Sequence, residues 1–343
     1  MLLRRLCLAI LLSITASAGV HAQLQSELIF PAGSTPFPSS HASTIVELKN
    51  KSLLAAWFGG TAEGAPDVAI WASHRSAQGW SRPIELAREP HVACWNPVLF
   101  HTHDGRLWLY YKFGPSPAEW TAARRFSTDE GQTWSPVEHL PAGLIGPVRA
   151  KPLVLPDGTI VSGSSIESYH AWAAWIERST DEGQTWTRIG PLVPDIPAPL
   201  NERFGIIQPS VISLGGAHLR LYARPTEQIG HICVADSYNN GLTWTKPRPL
   251  NIPNPNSGID AVALRDQRVV LIYNNTASGR TPLNLAVSTD GEHFRMFSTL
   301  ESEPGEYSYP AIIQASTGDL EITYTWNRKS IRHVHVPLSA VPK

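Results

Sequence analysis

Two stretches of this chain, residues 127–134 and 179–186, read identically as Ser-Thr-Asp-Glu-Gly-Gln-Thr-Trp. A relaxed copy at 237–244 reads Ser-Tyr-Asn-Asn-Gly-Leu-Thr-Trp, and a shortened one at 288–294 reads Ser-Thr-Asp-Gly-Glu-His-Phe. The shared pattern has the chemistry of a hairpin turn. Asp129 and Asp181 can accept hydrogen bonds from nearby backbone N–H groups, and Gly131 and Gly183 can take the positive φ that closes the turn. Trp134 and Trp186 are expected to begin the next strand and to lodge their rings between neighbouring sheets. These aspartates are therefore read as turn formers, not as catalysts.

A second repeat runs in step with the first. Short β-rich stretches are headed in turn by His41, Asn96, Lys151, Gln208, Asp260 and Tyr309, at spacings of 49 to 57 residues. A period near 50 with several short strands per unit points to an all-β, six-bladed β-propeller with four-stranded blades. An apolar second strand is expected in most units, at 53–57, 107–111, 219–223, 269–273 and 321–325. The last unit runs out of chain after 331–336, so residues 26–30 are expected to supply its outer strand and close the ring.

Arg4 and Arg5 precede an apolar run that ends in small residues, which reads as a secretory signal peptide over 1–22. Residues 23–343 are then expected to form one exported domain, secreted or periplasmic, with no membrane insertion. A net charge of -1 gives no basic surface for nucleic acid. Cys94 and Cys233 suggest no disulfide framework. His101 and His103 lack a third ligand and read as surface residues, so neither metal nor cofactor is expected. The chain is expected to be a monomer.

In a propeller the lead residues converge on one rim of the central channel, where a pocket forms. The ends of the second strands and the loops after them add Glu63, Asp67, Lys112, Glu167, His170, Arg224, Arg280, Trp326 and Arg328. Bland alternatives stand beside these. Arg224 could pair with Glu227 or Glu202, and Lys151, Asn96 and Asp260 could form a polar plug instead of a binding surface.

The repeated turn is the Asp-box, and with it the chain resembles the sialidase-like (neuraminidase superfamily) Asp-box/BNR-repeat propellers. That resemblance implies three arginines on a substrate carboxylate, a tyrosine nucleophile activated by a glutamate, and a carboxylic general acid. Arg224, in Leu-Tyr-Ala-Arg, matches the second arginine and Arg280 the third. Tyr309 matches the nucleophile, and Asp67 or Glu63 stands near the place of the acid. Two positions depart from the pattern. The first arginine is replaced in Ser-Ser-His41-Ala-Ser, and the activating glutamate reads Gln208, which cannot take a proton. An unassisted tyrosine, with a pKa near ~10, is a poor nucleophile at neutral pH.

The expected partner is an acidic oligosaccharide or glycoconjugate. Arg224, Arg280, Lys151, Asn96, Asp260 and Trp326 would bind it, and Tyr309, Asp67, Glu63, His41 and Gln208 would surround the scissile bond. The first expectation is a sialidase-like exo-glycosidase. A polysaccharide lyase that removes a uronate C5 proton with His41 or Tyr309 is the second. A sugar-binding propeller without catalysis is the third.

Overall fold

The computed structural model describes residues 24–198 and 202–343; the expected signal peptide lies outside the described residues. Those residues form 25 β-strands and one short 3-10 turn, Leu338–Ala340. The strands fall into successive antiparallel units that follow the repeat. The first holds Ser39–Glu47, Leu53–Gly60 and Ala69–Ser76, edged by Ile84–Ala87. The second runs Cys94–His101, Leu107–Phe113, Thr121–Ser127 and Glu138–His139. The third contains Leu153–Val154, Ile160–Glu167, Ala171–Ser179 and Thr187–Leu192. Phe204–Gly215, His218–Pro225, His231–Ser237 and Arg248–Pro253 make the fourth. Asp260–Ala263, Val269–Tyr273, Leu283–Ser288 and Arg295–Glu301 make the fifth. The sixth joins Tyr307–Gln314, Leu320–Trp326 and Ser330–Val336 to the N-terminal strand Gln25–Leu28, which pairs antiparallel with Ser330–Val336. The outer strand of the last unit thus comes from the start of the chain, as its sequence suggested.

The third and fourth units share one sheet through a short parallel pairing, Ala171 with Phe204 and Trp172 with Gly205. Gly205 has φ of 138°, and a Cβ there would collide with the Trp172 carbonyl. Only glycine permits this approach, and it fixes Trp172 against the fourth unit.

The repeated turns fold through their own side chains. In the first, Thr133 donates from both its backbone N and its Oγ1 to Asp129, and Gly131 N donates to Ser127 Oγ. The second repeats these bonds with Thr185, Asp181, Gly183 and Ser179. Trp186 stands immediately before the next strand, Thr187–Leu192, whereas Trp134 falls short of Glu138–His139. Their indole N–H folds back onto the glycine carbonyl of the turn, at 3.1 Å for Trp134 and 3.0 Å for Trp186. Each turn also docks on the unit before it. Arg124 of the second unit donates to Gly183 O, and Arg220 and Tyr222 of the fourth both donate to Gly291 O. The turn is thus a clasp between units as well as a reversal within one.

Four of the inner strands contain a bulge, three of them at the lead residue. Asn96, Gln208 and Tyr309 have φ of 37°, 54° and 51°, and the pairing slips across each. In the first unit the bulged residue is Ala42, with φ of 56°, not His41. His41 therefore occupies the register of Trp95, Ile207 and Ser308, one residue before the lead position. Side chains alternate faces along a strand, so this one-residue offset changes what His41 meets.

At the centre Asp260 is fully buried and takes four hydrogen bonds. Ser210 Oγ and Ala261 N donate to Oδ1 at 2.7 and 2.9 Å, while Lys151 Nζ and Ile312 N donate to Oδ2, each at 3.0 Å. One carboxylate thereby ties residues of the third, fourth, fifth and sixth units together. Lys151 and Asp260 were expected to bind substrate; they form the polar plug instead, because Asp260 has no acceptor site left to offer. Replacing Asp260 with alanine leaves Lys151 and three other donors stranded. It is expected to cost about 3–5 kcal/mol in denaturant unfolding; a loss below about 1 kcal/mol would contradict this account.

Candidate functional site

Tyr309 is the point on which the site converges. Its left-handed backbone at the bulge turns the ring inward, and Arg224 Nη1 donates to its Oη at 2.7 Å. Gln208 Nε2 lies 3.5 Å from the same oxygen, and Gln208 Oε1 lies 3.4 Å from Arg224 Nη1. The second strand of the fourth unit carries Arg224 opposite Ile207, just before the bulge at Gln208, which is why the two side chains meet. Arg224 Nε donates to Asn256 Oδ1 at 2.6 Å, and Asn256 passes the contact to Glu227. Glu202 pairs with Gln228. Neither acid forms an ion pair with Arg224, so that alternative falls.

Two further arginines crowd the tyrosine. Arg149 is buried, with Cζ 5.4 Å from the Tyr309 ring centre, and donates to the Pro310 carbonyl. Burial brings its pKa down to about 10. Arg280 is half-buried and donates to Ser257 Oγ at 2.9 Å; burial and then the neighbouring Arg224 push its pKa down. Arg149, Arg224 and Arg280 take only neutral acceptors among the described residues. Arg328 differs, being held by Glu306 at 2.9 Å and by Glu63 at 2.5 Å.

The His41 ring packs at a tilt of 51° on that of Tyr309, with centres 4.2 Å apart. Its Nδ1 lies 2.9 Å from Thr325 Oγ1, while its buried Nε2 has no partner among the described residues. Burial, reinforced by Arg328, Arg280, Arg149 and Arg224, holds its pKa well below the usual histidine value. His41 is therefore a neutral imidazole at the heart of a cationic cluster.

The remaining expected site residues separate clearly. Asp67 is exposed, and Thr61 donates to its Oδ2 from both Oγ1 (2.6 Å) and N (2.9 Å). Those bonds lower its pKa and stabilise the anion, the opposite of what a general acid needs. Glu63 is taken up by Arg328. Asn96 is buried at its own bulge and makes no hydrogen bond to the Tyr309 cluster. Trp326 does not join the site. Its ring packs on the core with Arg332 Cζ 5.3 Å away, because strand alternation puts it on the face of Leu320, Ile322 and Tyr324, opposite to that of Thr325, which meets His41.

Arg149, Trp172, Asn256 and Glu306 received no role from the sequence. Arg149 had a usable signal, a charge two residues before the lead Lys151; Asn256 lies in a loop without one. Beyond Trp172 opens a cavity of about 540 Å³, lined by Glu167, Tyr169, His170, Trp172 and Arg203 among others. No group of three His, Cys, Asp or Glu able to hold a metal occurs among the described residues. The arrangement suits a planar anion, since guanidinium groups match carboxylate geometry and these have no carboxylate of their own.

The model for the BNR repeat-like domain matches residues 51–322. No curated protein matches the sequence itself. Among solved structures, the NanB sialidase from Streptococcus pneumoniae is similar over 92% of this chain and 71% of its own, with TM-score 0.73 and 13% identity. An intramolecular trans-sialidase from Ruminococcus gnavus is similar over 91% of this chain and 97% of its own, with TM-score 0.72 and 12% identity. A protein of unknown function from Dyadobacter fermentans gives TM-score 0.74 and 16% identity over 91% and 98%.

The depressed pKa of His41 makes a signed prediction. As pH falls through about 6.5 the unfolded chain gains a proton at this position and the folded chain does not, so stability falls with pH. Lowering pH from about 7.5 to about 5.5 is expected to destabilise the wild type by ~1 kcal/mol more than His41→Gln. Equal slopes for the two proteins, or an imidazole that titrates near 6.5 by NMR, would contradict a buried neutral His41.

Proposed function

The chain belongs to the BNR repeat-like domain family and has the sialidase-type all-β fold, and from that premise we propose that it is an exo-acting glycoside hydrolase releasing a terminal acidic sugar. The observation behind this reading is the set of three arginines, Arg149, Arg224 and Arg280, gathered on Tyr309 with only neutral acceptors. A sugar carboxylate would supply the missing negative charge. Arg224 and Arg280 would grip it, and Arg149, more deeply buried, would bias the field from behind the tyrosine.

The six four-stranded units would close as a six-bladed propeller. Side-chain hydrogen bonds step from one unit to the next in support: Thr44 to Leu99, Lys112 to Pro147, Ser165 to Gln208, Ser210 to Ala261, Asp260 to Ile312, and Thr325 to Ala42. The basic and apolar start of the sequence supports export of the mature domain.

In this reading Tyr309 stabilises positive charge at the anomeric carbon or attacks it, with Oη already taking a hydrogen bond from Arg224. Gln208 orients that oxygen and takes no proton. A second reading draws on His41, whose neutral imidazole beside Tyr309 can serve as a base. Elimination next to a uronate would then replace hydrolysis.

Incubating the protein with sialylated and uronate-containing glycans separates the two. Free acidic sugar without absorbance near about 235 nm supports hydrolysis; a rise there, from an unsaturated uronate, supports elimination. Binding with neither product would overturn both in favour of a lectin. In the hydrolytic case Arg224→Ala is expected to lose about 2–5 kcal/mol of interaction with the substrate carboxylate, at least about thirtyfold in kcat/KM. Unchanged activity in that variant would remove the carboxylate clamp.

A further inference from the structure

Most carboxylates bordering the Tyr309 cluster are already engaged. Asp260 takes four hydrogen bonds, Glu63 and Glu306 hold Arg328, Asp67 is fixed by Thr61, and Glu227 accepts from Asn256. Glu167 stands apart. It ends the strand Ile160–Glu167, and its Oε1 is buried with no hydrogen-bond partner among the described residues.

Its position is fixed by pairing. Glu167 lies directly across from Trp172, and the Trp172 ring centre is 5.8 Å from Arg224 Cζ and 5.0 Å from Arg203 Cζ. Arg224 in turn reaches the Tyr309 oxygen. Glu167 and Trp172 also line the cavity of about 540 Å³, together with Tyr169, His170 and Arg203. Glu167 thus stands where that cavity meets the arginine cluster. A free carboxyl with a buried oxygen, facing a void the size of one or two sugar rings, is costly unless something uses it.

We propose that Glu167 is the catalytic residue that donates the proton to the glycosidic oxygen, and that the cavity it lines receives the leaving portion of the glycan. This rests on the hydrolase reading. The Glu167 carboxyl gives its proton to the bridging oxygen, and the bond from that oxygen to the anomeric carbon breaks. The electron pair departs with the leaving alcohol, whose rings are received by Tyr169, His170 and Trp172. Water then adds at the anomeric carbon, directly or after capture by Tyr309, and its proton returns to the Glu167 carboxylate. The acid is restored, and no outside oxidant or reductant is needed.

Burial raises the Glu167 pKa to about 7, against the pull of Arg224 and Arg203. The group is therefore part protonated at neutral pH, as a proton donor must be. Because the acid form is the active one, the rate should fall as pH rises past about 7.

The test compares leaving groups. Wild type and Glu167→Gln are assayed on 3′-sialyllactose, whose alkoxide needs a proton, and on 4-methylumbelliferyl α-N-acetylneuraminide, whose phenol leaves without one. Glu167→Gln is expected to lose about 10²- to 10⁴-fold in kcat/KM on the first and under about tenfold on the second, with the alkaline limb of its pH profile gone. Its thermal midpoint should match or exceed that of the wild type, since no bond is broken. Equal losses on both substrates, no loss on either, or an unchanged alkaline limb would overturn the role of Glu167 while leaving the hydrolase reading intact. A wild type that cleaves neither these sialosides nor the matching pair of alkyl and 4-methylumbelliferyl glucuronides would overturn the hydrolase reading, and this proposal with it.

Discussion

Three guanidinium groups gathered on one tyrosine repel one another, and in a low-dielectric interior that repulsion is large. Arg149, Arg224 and Arg280 stay in place because the surrounding strands fix them, not because an acid neutralises them. The rigidity comes from the centre and from the rim. Asp260 binds residues of four units at one point, and repeated turns clasp units to their predecessors through the carbonyls of Gly183, Asn240 and Gly291. A site whose three guanidinium groups rest on neutral acceptors keeps its positive charge available to an anion.

The substitutions that separate this pocket from the sialidase pattern work as a set. Gln208 keeps the shape of a glutamate and a hydrogen bond near Tyr309 but gives up its basicity. His41 lies where the first arginine would be sought, and its own surroundings keep it uncharged. Both changes remove ionisable function from the tyrosine's side of the site. Among the described carboxyls around this pocket, Glu167 keeps an oxygen without a partner, on the far side of Arg224 beside Trp172. In the proposed hydrolysis, proton donation would thereby fall to the cavity wall and not to the side of Tyr309.

The sequence announced the fold more fully than the site. Turn chemistry is local, so the Ser, Asp, Gly and Thr of each repeat could be assigned their bonds from spacing alone. Apolar runs such as 107–111 and 269–273 marked the second strands for the same reason. The contribution of Gln25–Leu28 to the last unit followed from counting strands. At the site, Tyr309, Arg224 and Gln208 do meet, and Arg280 lies near enough to feel their charge while bonding to Ser257, since each has a definite place in its unit. The failures trace to features with no local signature. A bulge shifted by one residue takes His41 out of the lead series and puts Ala42 there. Lys151 and Asp260 were polar in the right register, but each found the other first. The direction of Trp326 depends on packing against Arg332, and the isolation of Glu167 depends on what five other carboxylates do elsewhere.

The most direct test of a pocket built for a carboxylate is calorimetric binding of N-acetylneuraminic acid and glucuronic acid, each beside its own methyl ester. Esterification removes the charge and leaves the ring almost unchanged. The account predicts that one of the two acids binds and that its ester binds at least about thirtyfold more weakly, the loss expected when one partner of a buried charge pair is removed. Equal affinity for acid and ester, or no binding of either acid, would contradict it.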